Sequence, residues 1–126
     1  MRTDKPVPVI GVVGPCTAGK STLIHHLRPL GIQVRHIAQE HSYVTTMWQR
    51  LTNPDVLIYL DVSYQVSLLR KKLNWTEEEY QEQQRRLSHA REHTDCYIDT
   101  DALTEAEVAE SVVGFLRQHF PLLIVP

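Results

Sequence analysis

Cysteine is scarce in this sequence: of 126 residues only Cys16 and Cys96 carry a thiol. Two thiols do not make a disulfide scaffold, and both are expected to be free in a reducing compartment. An excess of positive charge is lacking too. Lys+Arg 13 against Asp+Glu 15 gives a formal charge of -2 and a pI near 6.4, without the basic footprint that binding to a phosphate backbone demands. Nucleic acid is therefore not an expected partner. No apolar run approaches the roughly 20 residues of a membrane span, so a membrane is not expected either. Residues 1–8 are polar and proline-bearing and hold no apolar signal core, from which a cytoplasmic protein is expected. Internal repeats and low-complexity linkers are also missing. What is there is a globular mix, 42% hydrophobic and 22% charged, in a chain long enough for one domain and too short for two.

The apolar residues come in short runs separated by helical patterns. Residues 7–13 are rich in Val and Ile, as in a strand buried on both faces, and end at Gly14. Leu23, Ile24 and Leu27 then mark one face of a helix that Pro29 and Gly31 stop. Ile32, Val34 and Ala38 predict a second strand ending in the polar cluster Gln39, Glu40, His41 and Ser42. One or two helical turns through Tyr43, Met47, Trp48 and Leu51 follow, broken by Asn53 and Pro54. Residues 56–60 read as a third buried strand capped by Asp61, and Val66, Leu69 and Leu73 as a helix behind it. Thr76 and Glu79 stand at capping-box spacing before a polar helical stretch to about His93, with little beyond Tyr80 and Leu87 to bury. Residues 96–98 predict a fourth strand, ending in Asp99, Thr100 and Asp101. A second capping box, Thr104 with Glu107, opens a helix carrying Val108, Val112, Val113 and Leu116. Strands alternating with helices imply an α/β fold with a parallel sheet.

Between the first strand and the first helix, Gly14-Pro15-Cys16-Thr17-Ala18-Gly19-Lys20-Ser21 satisfies G-x-x-x-x-G-K-[ST] in full. The two glycines let the backbone turn so that several N–H groups converge on phosphate oxygens, and the helix that follows turns its positive end to the same anion. Lys20 adds a mobile charge for the terminal phosphates, and Ser21 a hydroxyl for Mg²⁺. An Ala at position 20 is expected to leave the fold intact, since Lys20 would meet phosphate rather than core.

This loop, in this context, resembles that of the P-loop kinases, the group that includes thymidylate, deoxynucleoside, adenylate and shikimate kinases. Residues 54–62 followed by Val66, Leu69 and Arg70 look like the strand and helix that lead into the lid of thymidylate and deoxynucleoside kinases, and Arg70 falls where those families carry a nucleotide-contacting arginine. Residues 97–100 and the last helix are similar to the family's last strand and helix, whose joining loop, beginning here at Asp99, supports the adenine. The resemblance implies a three-layer P-loop NTPase fold with about four strands in the order 2-1-3-4, and one domain over residues 1–126 with a lid-like segment at about 74–94. It also implies ATP and Mg²⁺ as cofactors. The D-x-x-G and N-K-x-D motifs of GTP-binding proteins are absent, which favours ATP. The nucleotide would lie against residues 14–21, Thr22, Arg70 and Asp99.

Phosphoryl transfer needs a metal, cations on the transferring group and a carboxylate that orients the acceptor. Glu40, at the carboxyl end of the second strand, is the candidate carboxylate and, with Ser21, the candidate metal ligand. Glu40-His41-Ser42 resembles the Glu-Arg-Ser of deoxynucleoside kinases with His41 in place of the arginine. Asp61 is an alternative at the same edge. Arg70, Lys71, Lys72, Arg85, Arg86 and Arg91 cluster around the polar helix, and at least one of Arg85, Arg86 and Arg91 is expected to reach phosphate; with Lys20, Glu40 and Arg70, Arg85 and Arg86 complete the candidate catalytic set. Only residues 40–54 stand where related kinases insert an acceptor-binding region. The acceptor is therefore expected to be small, a nucleoside or nucleotide being one candidate, or a partner subunit completes its site; otherwise the chain only binds or hydrolyses nucleotide. A homodimer burying residues 122–125 is one expected arrangement.

Three other features compete for a role. His89-Ala90-Arg91-Glu92-His93 matches the H-x-x-E-H of inverted zinc proteases, but it lies on the most polar helix with no supporting core, so ordinary surface histidines are expected. Cys16 lies in a helix N-terminal anion site, where packing is the simpler role. Trp48 and Trp75 fit core or hinge positions, although Trp48 and Tyr43 could line an acceptor pocket.

Overall fold

Strands β1 (Ile10–Val13), β2 (Val34–His36), β3 (Val56–Asp61) and β4 (Cys96–Asp99) form one all-parallel sheet in the order β2-β1-β3-β4. A computed structural model describes residues 8–70 and 74–121. Val7, Lys71, Lys72, Leu73 and the apolar tail at 122–125 lie outside the described residues. Ile10 stands opposite both Val34 and Val56, and Ile58 opposite Cys96. Every residue of β1 and β3 is buried, because helices cover both faces of the sheet. Continuous apolar runs, rather than alternating ones, are what double coverage requires.

Alternation along β3 divides the core in two. Val56, Ile58 and Leu60 pack with Ile10 and Val12 against α1 (Lys20–Leu27) and α6 (Glu105–His119), through Leu23, Leu27, Val108, Val112 and Leu116. Leu57 and Tyr59 point the other way and meet Val13, Ile37, Trp48 of α2 (Met47–Leu51), Leu87, and Ala90 of α5 (Ser88–Glu92). Helix α3 (Tyr64–Arg70) leads from the end of β3 towards α4 (Glu77–Arg86). Both capping boxes form: the Thr76 and Thr104 hydroxyls accept from the N–H groups of Glu79 and Glu107, whose carboxylates bond back to the capping residues. No helix among the described residues is long and apolar enough to cross a membrane.

Three local expectations are corrected. The second strand is only three residues long, Ala38 is exposed, and Gln39–His41 closes into a 3₁₀ turn that lifts Glu40 off the strand. Leu69 is 78% exposed, so α3 does not bury the face that its spacing implied. The polar stretch is two helices joined at Leu87, and it buries more than its apolar residues indicate. Leu87 and Ala90 are fully covered, Gln83 is buried, and the Tyr80 hydroxyl donates to the Val62 carbonyl at 2.8 Å. The segment is thus a packed layer of the fold. Trp48 is core, as expected, and its indole N–H donates to His89 Nδ1 at 3.0 Å. Trp75 is a joint between α3 and α4, bonded to Ser67 and set edge-on to Tyr80.

Gly14 is the position where this packing leaves no freedom. A Cβ there would run into the backbone carbonyl of Leu60, and neither strand can retreat from a fully paired sheet. Gly14→Ala is expected to destabilise the protein by more than about 3 kcal/mol, beyond ordinary overpacking, as read by thermal or urea unfolding. Gly19→Ala meets open space and is expected to cost only about 1–3 kcal/mol, from its left-handed φ of 97.

Candidate active site

Strands β1, β2 and β3 run parallel, so their carboxyl ends share one edge of the sheet, where β1 gives way to the glycine loop of residues 14–19. Gly14 passes under Leu60, Thr17 and Gly19 take left-handed conformations (φ 69 and 97), and Gly19 delivers the chain into α1. No side chain caps the first turn of α1, so its leading amides, with their partial positive charge, are left for a ligand. Above the loop lies a cavity of about 820 Å³, lined by residues 16–23 together with His36, Glu40, Arg70, Thr100, Leu103, Thr104, Glu105 and Val108. That volume is in the usual range for a small-molecule site.

The charged groups on its wall are held by the fold. Lys20 is only 6% exposed; its ammonium donates to the Gly14 and Pro15 carbonyls at 2.5 and 3.1 Å and pairs with Glu40 Oε2 at 3.0 Å. The Glu40 side chain is 4% exposed, and its Oε1 has no hydrogen-bond partner among the described residues. Thr17 Oγ1, in the same wall, is likewise buried and unpartnered among them. Gln39, fully buried, fixes the Glu40 turn: its amide donates to the Val44 and Arg86 carbonyls and accepts from the Trp48 N–H. Arg70 reaches across to donate to the Thr17 carbonyl and to both oxygens of Thr100, tying the loop to the end of β4. His36 faces the same space; partial burial and the Lys20 ammonium hold its pKa below the ordinary histidine value, against the opposing pull of Glu40.

Helix α4 touches the loop at one residue. Gln83 accepts from the Cys16 N–H at 3.0 Å and donates to the Cys16 sulfur at 3.1 Å. The three arginines of this region go elsewhere. Arg85 is exposed, bonds Glu82 and borders a shallow surface cavity with Thr76 and Glu78. Arg86 lies over the Tyr43 ring at 4.2 Å and donates to the Glu40 carbonyl at 3.2 Å, bracing the turn from behind. Arg91 pairs with Asp61 at 2.9 Å and reaches the Tyr59 hydroxyl. None of the three lines the cavity over the loop.

Asp61 is correspondingly committed to the other face of the sheet. Its Oδ2 also accepts from the Tyr97 hydroxyl, and its Oδ1 from the Val62 N–H. Burial raises the Tyr59 pKa to about 12, and burial with the Asp61 charge raises that of Tyr97 further, so both phenols keep their protons. Asp99 does not reach the cavity either: it is exposed and accepts from the Asp101 N–H. Thr100, one residue on and pointing inward, takes the position on the wall. Cys96 stays a thiol, its pKa pushed up to about 11 by burial and by Asp95.

The structure therefore brings Cys16, Thr17, Ala18, Gly19, Lys20, Ser21, Thr22, Glu40 and Arg70 to one cavity, and leaves Gly14, Pro15, Arg85, Arg86, Asp61 and Asp99 off its wall. Sequence reasoning missed His36, Thr100, Leu103 and Thr104. His36 and Thr100 flank strand ends at the loop edge, a positional signal that could have found them. A comparison with known protein families and with curated proteins finds no match to this chain.

Proposed function

We propose that the chain binds ATP with Mg²⁺ over the glycine loop and transfers the terminal phosphoryl group to a small acceptor, as a minimal relative of the P-loop kinases. The observation that carries this proposal is the meeting, in one cavity, of a complete G-x-x-x-x-G-K-[ST] loop with Lys20, Arg70 and a buried carboxylate on Glu40. The first turn of α1, which no side chain among the described residues caps, and Thr17 Oγ1 and Glu40 Oε1, unpartnered among those residues, fit a ligand rich in phosphate oxygens and a metal. Leu103 and Val108 give the cavity an apolar end suited to a purine. Ser21 and Glu40 would hold Mg²⁺, which neutralises charge on the phosphates when bound. Lys20 neutralises the transferring group, Arg70 secures the nucleotide against Thr100, and Glu40 orients the acceptor hydroxyl. Arg86 contributes by holding the Glu40 turn.

A screen of ADP release with and without nucleosides, nucleotides and small metabolites tests this proposal. Acceptor-dependent ADP formation is expected; absence of any ATP binding at millimolar concentration would overturn it. One observation favours a second reading, a nucleotide-binding or ATP-hydrolysing regulatory module. The chain between β2 and β3 forms only the 3₁₀ turn and the five-residue α2, which leaves little room for an acceptor. ATP binding with no acceptor-dependent turnover would select that reading.

A further inference from the structure

Cys16, Glu40 and His41 bring a sulfur, a carboxylate oxygen and an imidazole nitrogen within 4.8 Å of one another at the rim of the cavity. This trio is not explained by an ATP site, whose Mg²⁺ takes oxygen ligands and has no use for sulfur or imidazole. We propose that Cys16, Glu40 and His41 form a site for a single borderline-soft divalent ion, Zn²⁺ by ligand chemistry. Cys, His and carboxylate are the three ligand types of zinc, and three protein ligands plus one water is the pattern of an open zinc site.

Four observations support it. Glu40 Oε1 is buried and unpartnered among the described residues, so the carboxylate has acceptor capacity to give. Gln83 donates to the Cys16 sulfur at 3.1 Å, the kind of outer hydrogen bond that orients a metal ligand. Cys16 and Glu40 both border the 820 Å³ cavity, which provides an entry path and room for the fourth ligand. Finally, the trio needs little rearrangement. At zinc bond lengths, tetrahedral ligand atoms stand about 3.4–3.6 Å apart; His41, whose side chain is 61% exposed, is free to swing in and close the remaining gap.

The Lys20 ammonium, 3.0 Å from Glu40 Oε2, opposes a cation here. Loss of the Cys16 proton on binding supplies the compensating negative charge. The two neighbouring histidines of α5 and its end, His89 and His93 with tilted rings whose centroids lie 4.2 Å apart, do not make the same case. His89 Nδ1 already accepts from Trp48, and no third ligand stands near them among the described residues.

The test uses the metal alone, so it stands or falls independently of nucleotide binding. Co²⁺ is titrated into the reduced protein and followed by absorption, then displaced by Zn²⁺, whose affinity is read against a chromophoric chelator. One equivalent of Co²⁺ is expected to give a thiolate-to-cobalt charge-transfer band together with intense tetrahedral ligand-field bands. Cys16→Ser is expected to abolish the charge-transfer band. Cys16→Ser and His41→Ala should each weaken Zn²⁺ by at least about 100-fold, more than loss of an outer-shell partner does. Cys96→Ser and His89→Ala should leave band and affinity unchanged. Absence of a charge-transfer band at saturating Co²⁺, its survival in Cys16→Ser, or an unaltered Zn²⁺ affinity in His41→Ala would each overturn the proposal.

Discussion

Replacing Lys20 by alanine is expected to lower ATP-dependent turnover by about 10²–10³-fold, the usual loss when one preorganised group aimed at transition-state charge is removed. The same change is expected to destabilise the fold by about 3–5 kcal/mol, because Glu40 would remain buried without its cation. This second effect reverses the expectation from sequence, where Lys20 figured as a group that meets only phosphate. The stability effect is isolated in the double variant Lys20→Ala with Glu40→Gln, in which no charge is left unpaired. Urea unfolding of that variant should recover most of the lost stability. Stability of Lys20→Ala within about 1 kcal/mol of wild type would mean that the pair is looser than its 3.0 Å separation implies.

Glu40→Gln, by contrast, is expected to keep ATP affinity within a few-fold and to lose about 10²–10⁴-fold in turnover, the range for a positioned acid–base group. The amide preserves the shape of the carboxylate, and the turn that presents it is fixed independently by Gln39 and Arg86, so placement is kept; the buried Lys20 loses its counter-charge, and a loss of stability comparable to that of Lys20→Ala is expected beside the loss of turnover. Steady-state rates with saturating ATP measure it. A rate within about threefold of wild type would remove Glu40 from the chemical step. Asp61 could not take its place without giving up Arg91 and Tyr97.

Those two residues show how far the sequence could be read. The two buried strand runs and both capping boxes followed from patterns within a few neighbouring residues, which are set by local chemistry, whereas the strand order was an expectation carried by the family resemblance. Lys20 and Glu40 were legible as residues of the strand edge and its loop because an all-parallel sheet gathers that edge in one place; Arg70, at the end of α3, was expected only from the family resemblance. The failures have a different origin. Helix α4 looked solvated because its key buried residue is Gln83, whose amide satisfies the loop at Cys16; hydrophobic periodicity does not register a polar residue that is buried with its partners. Gln39 was invisible for the same reason. At least one of Arg85, Arg86 and Arg91 was expected to reach phosphate, from the density of cations on a lid-like helix. A long side chain, however, takes whichever carboxylate the tertiary arrangement offers, here Asp61 and Glu82. Asp99 failed by one position: successive residues at a strand end face opposite ways, and it is Thr100 that turns inward.

The most direct test follows the backbone amides of residues 16–22 by ¹⁵N–¹H NMR during titration with ATP and Mg²⁺, within reach for a 14.5 kDa chain. A single saturable transition is expected at Gly19, Lys20, Ser21 and Thr22, accompanied by a shift of the Cys16 amide and of the Gln83 side-chain amide that holds it. Amides of this loop that remain unmoved at saturating ATP and Mg²⁺ would contradict the assignment of the cavity to nucleotide phosphates.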